Sequence, residues 1–208
     1  SVMMKCMVGL EKPDNGIISF DNRNMLELDE QQLREVRREI GMLFQGSALF
    51  DSMNVEQNVM FPLTMLSNMS HSEKQDRVNF CLQRVNLPSS HKLYPAEISG
   101  GMKKRVAIAR AIAMQPEYLF CDEPNSGLDP KTSIVIDELI MEITEEYQMT
   151  TIINTHDMNS VVTMGDNILF IHKGKKWWSG NEQQILNSGN PEVDDFIFAS
   201  KIMQHLRK

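Results

Sequence analysis

A chain of 208 residues, 41% hydrophobic and 24% charged, has the make-up of a globular protein with one good core and room for a small subdomain. Its net charge of −7 leaves no overall basic footprint for nucleic acid, and no apolar run approaches the length of a membrane span. The three cysteines, Cys6, Cys81 and Cys121, are scattered and odd in number, which argues against a disulfide frame or zinc site and for a reducing, cytosolic compartment.

The opening stretch SVMMKCMVGLEKPDNG carries Met3, Met4, Met7 and Val8 at helical spacing and stops at Gly9 and Pro13. A helix is therefore expected from residue 1 with nothing to cap it: either the N-terminus is bare there, or a strand and loop belong in front of it. DNG then signals a turn, IISF a short strand, QQLREVRREI a charged helix and GMLFQ (41–45) another strand. From about Asn54 to Met114 the pattern is helical. One helix is expected to end at Pro62, a second carries Val78, Leu82 and Val85, and a third follows two glycines and ends before Pro116. YLFCDEP is an unbroken apolar run closed by two carboxylates, the pattern of a strand buried on both faces of a parallel sheet. SIVIDELIMEITEEY is an amphipathic helix with Ile136, Leu139, Ile140 and Ile143 on one side, and TTIINTHD is a second buried strand. NILFIHKGKKWWSG reads as a hairpin around Lys173–Gly174–Lys175, and the tail as two short helices broken at Pro191. The sixteen methionines read as adaptable core filling, and packing is the default reading of Trp177 and Trp178.

Strand–helix–strand alternation predicts a parallel α/β sheet interrupted by a helical insertion. Such sheets bind ligands beyond the carboxyl ends of their strands. Gln45, Asp122, Glu123 and His156 all fall at strand carboxyl ends. Adjacent carboxylates on a strand leaving the core suit holding a hydrated Mg²⁺ with Asp122 and polarising a water with Glu123, although strand ends often carry acids that are merely solvated. In EISGGMKKRVAIARAIA, Ser99 caps a helix entered through glycines, so the backbone N–H groups of Gly100, Gly101 and Met102 can face an anion. The plainer reading is an ordinary capped helix, with Lys103, Lys104, Arg105 and Arg110 forming a solvated face.

The order of these pieces resembles the ATP-binding cassette (ABC) ATPase family along most of the chain. ISGGM is similar to the signature motif, LFCDEP to the Walker B strand and SGLD (126–129) to the D-loop. NTHD sets His156 at the switch histidine, and GMLFQ sets Gln45 at the Q-loop. In this family a glycine-rich loop ends in Gly-Lys-Ser or Gly-Lys-Thr, and a helix then runs to a GL-x-x-P-x-x-G turn. The opening stretch resembles that pattern from the serine onward, so Ser1 is expected to be the last residue of a Walker A motif, with the lysine, the phosphate-cradling glycines and the first strand lying upstream.

The resemblance implies a P-loop NTPase of RecA-like type, a mixed sheet flanked by helices with an inserted helical subdomain. Residues 1–50 and 115–180 would form the ATPase core, 51–114 the helical subdomain with the signature, and 181–208 a helical tail. ATP and Mg²⁺ are the implied ligands. Ser1, Gln45 and Asp122 would attend the metal, Glu123 would activate water, and His156 would bond the γ-phosphate. Ser99, Gly100 and Gly101 would close over the nucleotide of a second copy in a head-to-tail dimer, with Asp129 reporting between the two sites. Met102 stands where the signature more often has Gln, and a thioether donates no hydrogen bond. Without the Walker A lysine, these 208 residues are expected to hydrolyse ATP hardly at all.

LFQGSALFDSMNVEQNVMFPL is similar to a stretch in the ATPases of bacterial Mce/Mla-type phospholipid transporters, as are EISGGMKKRVAIARAIA and NPEVDDFIFAS. That likeness implies phospholipid movement between bacterial membranes, a transmembrane permease and an Mce-type lipid-binding protein as partners, and a place on the inner face of the inner membrane. Amino-acid importers share the scaffold, and a nucleotide sensor without transport is a different class that the same motifs would serve. Leu49, Phe50 and Met53 fit either a groove that grips a permease or the packing of the helical subdomain.

Overall fold

The computed structural model describes residues 1–198, and the chain divides into two compact units, Ser1–Asn154 and Thr155–Lys208. The end of the expected tail, residues 199–208, lies outside the described residues.

The first unit begins with helix α1 (Val2–Met7) and a hairpin of β1 (Ser19–Phe20) and β2 (Arg23–Asn24). Asp21 and Asn22 turn the hairpin with φ of 46° and 66°, left-handed values that Asp and Asn tolerate best among residues with a Cβ. Helix α2 (Glu30–Arg38) starts at a capping box in which Asp29 and Gln32 satisfy each other's backbone N–H groups. Strand β3 (Ile40–Leu43) leads to helices α3 (Val55–Leu66), α4 (His71–Arg84) and α5 (Gly100–Ala111), followed by β4 (Tyr118–Asp122), α6 (Pro130–Glu146) and β5 (Thr150–Asn154). Strands β3, β4 and β5 form one parallel sheet in that order, with Leu43 beside Cys121 and Asp122 beside Asn154. Their carboxyl ends are therefore level, as the alternation of strand and helix predicts.

Strand β4 divides its side chains between two cores. Leu119 and Cys121 enter the larger one, with Leu43, Val106, Ile108 and Ile140, while Phe120 enters the smaller one, with Met4, Phe20 and Val36. That alternation is the period of two expected of a strand covered on both faces. Gly41 permits the sheet and α5 to meet: a Cβ there would lie 2.6 Å from the Ala111 carbonyl oxygen.

One helix boundary differs from the sequence expectation. Helix α3 continues through Pro62 to Leu66, because Val55, Val59 and Leu63 on one stripe are all fully buried and their packing outweighs the hydrogen bond that proline forfeits. Helix α4 opens on Ser70, whose side chain and that of Glu73 form a capping box. The Arg77 guanidinium on α4 donates to the carbonyls of Ala113 and Ile112 at 2.9 and 2.8 Å, closing the carboxyl end of α5.

The second unit contains α7 (Met158–Met164), the antiparallel pair β6 (Ile168–His172) and β7 (Lys175–Gly180), and the short helices α8 (Glu182–Ile185) and α9 (Pro191–Ile197). The hairpin turns through Lys173 and Gly174, both left-handed, as expected, and Pro191 opens α9. Helix α7 is an element the sequence reading does not anticipate, although Met158, Val161 and Val162 stand at helical spacing and pack against this unit's core. Ile185, Val193, Ile197 and Phe198 form this unit's core, with Phe170 and Trp178 against it, so packing accounts for Trp178. Trp177 is 41% exposed and donates its indole N–H to Glu192 at 3.2 Å. Across the described residues strand types are mixed, parallel in one sheet and antiparallel in the other two, and no helix is long and apolar enough to cross a membrane.

Candidate functional site

The carboxyl end of β4 delivers Asp122, 4% exposed, with two donors on one oxygen. Its Oδ1 accepts from the Ser1 hydroxyl at 3.1 Å and from the Asn154 amide nitrogen at 2.7 Å. Ser1 occupies the cap position of α1, yet its hydroxyl makes no cap bond there and turns to Asp122 instead.

The Ser1 hydroxyl and the Asp122 carboxylate meet at 3.1 Å and are both hard oxygen donors, the kind Mg²⁺ takes directly or through its bound waters, so the donor set fits that metal.

Glu123 leaves the strand in a left-handed conformation, φ 50°, a cost of about 1–2 kcal/mol for a residue with a Cβ. Its main chain is held from three sides. The Glu123 N–H donates to the Asn154 carbonyl at 2.8 Å, and the Glu123 carbonyl accepts from the Ser126 N–H at 3.2 Å and from the Lys104 ammonium at 3.0 Å. Lys104 is 3% exposed, which corrects its reading as part of a solvated helix face. Burial pulls its ammonium below the ordinary lysine range, and nearby Cys121, Glu123 and Asp122 push it back up. Burial also pushes the Cys121 thiol up to about 12, which leaves it an inert core group.

Gln45 is exposed, two residues past the end of β3, and opens a loop in which Gly46, Ser47 and Ala48 have successive φ of 74°, 72° and 46°. Two side chains hold this loop. Arg110 donates to the Ser47 and Ala48 carbonyls, each at 2.8 Å, so it too is no solvated face residue. Asn58, fully buried, donates to the carbonyls of Phe50, Met53 and Asn54 and accepts from the Phe50 N–H. Leu49, Phe50 and Met53 all sit on this held segment, and Phe50 is 40% exposed beside Phe61, ring centroids 4.7 Å apart.

At the start of α5 the Ser99 hydroxyl accepts the Met102 N–H at 3.2 Å, so that one of the three expected anion-facing groups is already engaged as an ordinary cap. Ser99 and Gly100 are exposed, and a Cβ on Gly100 would meet only Leu128, at 3.7 Å. Gly101 is different: a Cβ would stand 2.7 Å from the Thr132 side chain, so close packing on α6 dictates that glycine. Asp129 caps α6, accepting from the Thr132 N–H at 3.1 Å and its hydroxyl at 2.5 Å, and these bonds hold its carboxyl below the usual carboxylate range. His156 belongs to the second unit, where it is exposed just before the cap residue Asp157.

The structure thus brings Ser1, Asp122 and Glu123 into one corner, with Asn154 and Lys104 as partners the sequence reading does not single out. A signal for Lys104 exists: it shares the buried stripe of Gly101, Ile108 and Ala111 at spacings of three and four. Nothing local marks Asn58, whose partners are all main-chain carbonyls and an N–H brought to it by the loop.

A family profile described as "ABC transporter" matches residues 1–126. Over 202 residues, 97% of this chain and 58% of the relative, the sequence is 38% identical to the probable ribonucleotide transport ATP-binding protein mkl of Mycobacterium leprae (strain TN). Over 206 residues, 99% of this chain and 60% of the relative, it is 35% identical to the methionine import ATP-binding protein MetN 2 of Bacillus cereus. The chain spans well under two thirds of the length of either relative. Among solved structures, the dimeric post-hydrolysis state of the ATP-binding cassette MJ0796, bound to ADP and phosphate, matches with a TM-score of 0.79 at 32% identity over 87% of this chain and 79% of that one. The cbiO1 protein of Clostridium perfringens, part of the ABC transporter complex cbiONQ, matches with a TM-score of 0.81 at 29% identity over all of this chain and 82% of that one.

Proposed function

Because the chain belongs to the ABC transporter family, with the α/β fold of its P-loop ATP-binding cassettes, we propose that it is the part of a transporter that binds and hydrolyses ATP. The observation that carries the reading is the Ser1–Asp122 hydrogen bond at 3.1 Å, with Glu123 set beside it in a fixed backbone turn.

Asp122 and Ser1 would hold Mg²⁺, Asp122 through a water, and Gln45 would read the metal and the γ-phosphate. Bound metal neutralises charge on the β- and γ-phosphates. Glu123 orients or deprotonates the attacking water, and His156 donates to the γ-phosphate. Ser99, Gly100 and Gly101 face the nucleotide of a second copy, which suits a head-to-tail pair, and Asp129 lies between the two sites. In phosphoryl transfer positioning and charge stabilisation dominate, so each of these groups is worth orders of magnitude in rate. The corresponding division of the chain is an ATPase core of residues 1–50 and 115–180, a helical subdomain of 51–114 and a tail from 181.

The finer reading is a phospholipid transporter with a permease and an Mce-type lipid-binding protein as partners, working at the inner face of a bacterial inner membrane. It rests on LFQGSALFDSMNVEQNVMFPL and the Met102-containing signature. A second reading, import of a small solute, is favoured by the methionine import relative, which aligns with 99% of the chain. Co-purification with a permease separates both from a sensor that never drives transport, and lipid or amino acid stimulation of the assembled ATPase separates them from each other.

The test of hydrolysis is steady-state Mg-ATPase activity of these 208 residues beside a version extended in front of Ser1 by a strand and a phosphate loop ending in Gly-Lys. The sequence holds no Gly-Lys-Ser or Gly-Lys-Thr of its own, so activity is expected only in the extended version, abolished by Glu123→Gln. Equal rates in both lengths would sink the assignment of Ser1. Activity that survives Glu123→Gln would sink that of the base.

A further inference from the structure

A lysine 3% exposed is costly to keep, since the burial of its ammonium outweighs both its hydrogen bond to a neutral carbonyl and the nearby Glu123 and Asp122 carboxylates. A methionine would fill the same slot between Gly101, Ile108 and Ala111 with no such penalty, so packing gives no reason for the charge. What the charge does touch is the Glu123 carbonyl, at 3.0 Å, on the one residue of the corner whose backbone is left-handed. The two other bonds to that residue's main chain, from Ser126 N–H at 3.2 Å and to the Asn154 carbonyl at 2.8 Å, come from the turn itself and from β5. Lys104 reaches it from α5, the helix that starts at Ser99.

We propose that Lys104 is a positioning residue for hydrolysis, its buried ammonium holding the Glu123 main chain in the left-handed turn that aims the carboxylate. The inference rests on the reading of Glu123 as the base. Relaxing φ at Glu123 toward the ordinary right-handed or extended region would swing its side chain away from the strand axis by several bond lengths, and displacements of about 1 Å at a reacting group cost on the order of 100-fold in rate.

Two experiments separate failure of this inference from failure of the functional reading. In the extended version that hydrolyses ATP, Lys104→Met is expected to lower kcat by about ten-fold or more, with KM for ATP within about two-fold and Tm unchanged or higher. In a Glu123→Gln background the same change should lower the residual rate no further. An unchanged kcat, or a Tm that falls in step with kcat, would overturn the proposal in favour of a merely structural lysine. Hydrogen exchange on the 208-residue chain needs no nucleotide. Lys104→Met should speed exchange at the Glu123 and Ser126 amides by about ten-fold while amides of Ile108 and Ile112 keep their protection. Unaltered exchange at Glu123 would overturn the clamp whatever the ATPase does. Faster exchange there, with no hydrolysis in any version, would support the clamp and overturn the reading of Glu123 as a base.

Discussion

At the end of β4, Asp122 takes one hydrogen bond from a residue 121 positions away and another from one 32 positions away. At the start of α5, Ser99 bonds the N–H groups three and four residues ahead in its own helix, and Gly101 is fixed by contact with a neighbouring helix. The first region is assembled by the tertiary fold and stands ready with its polar groups already facing one another. The second is locally complete, and its Ser99 and Gly100 are exposed, as the proposed contact with the nucleotide of a second copy requires. Both regions read as motifs, but only the corner is preorganised by the chain itself.

The difference can be broken most sharply at the corner. Glu123→Gln is expected to cost at least about 100-fold in kcat in a version that hydrolyses ATP, with ATP affinity retained, because amide replaces base without changing shape. Asp122→Ala leaves the Asn154 amide and the Ser1 hydroxyl without their acceptor and should destabilise the fold by about 1–3 kcal/mol, read from urea unfolding. At the other region the two glycines should part company. Gly101→Ala drives a methyl to 2.7 Å from the Thr132 Cγ2 and should cost about 1–3 kcal/mol of stability, mostly recovered by adding Thr132→Ser, which removes that methyl. Gly100→Ala meets only Leu128 at 3.7 Å and should leave stability nearly unchanged, so any loss of activity there reports on the nucleotide face.

The smallest effect is electrostatic. Bonds from the Thr132 hydroxyl and N–H lower the folded pKa of Asp129, so the stability this carboxylate adds is present above its unfolded pKa and is lost as pH falls through the folded value. Acid unfolding of Thr132→Val against the parent, followed between pH 5 and pH 2, should show the parent holding out to slightly lower pH; coincident curves would mean the hydroxyl bond adds nothing.

Much of the corner was legible because its letters are chemical and its spacing is that of a strand end: an apolar run can hide on both faces of a sheet, and the first carboxylates after it must lie at the sheet's edge. The level ends of β3, β4 and β5 follow from the same alternation. What the letters did not carry was the burial of charged and polar groups inside helices. Lys104 and Arg110 lie in a stretch rich in basic residues, where solvation is the natural default, and only the path of the Gln45 loop and the turn at Glu123 give them carbonyls to bond. Pro62 misled for a related reason: a local rule about a missing N–H was overruled by three fully buried neighbours on the same stripe. Helix α7 was missed although Met158, Val161 and Val162 carry a helical period, because one turn of spacing directly after a strand's polar end reads as loop.

Strand β4, with Leu119 and Cys121 in one core and Phe120 in the other, has a consequence for how the molecule comes apart. A strand shared by two cores cannot stay in register if either of them melts, because each supplies alternate side chains along the same five residues. Loss of either core therefore unseats Asp122 and Glu123 together with the rest of the sheet. Melting of either core is expected to take the corner with it, so that it unfolds at the midpoint of the first unit even where its turn opens locally below that.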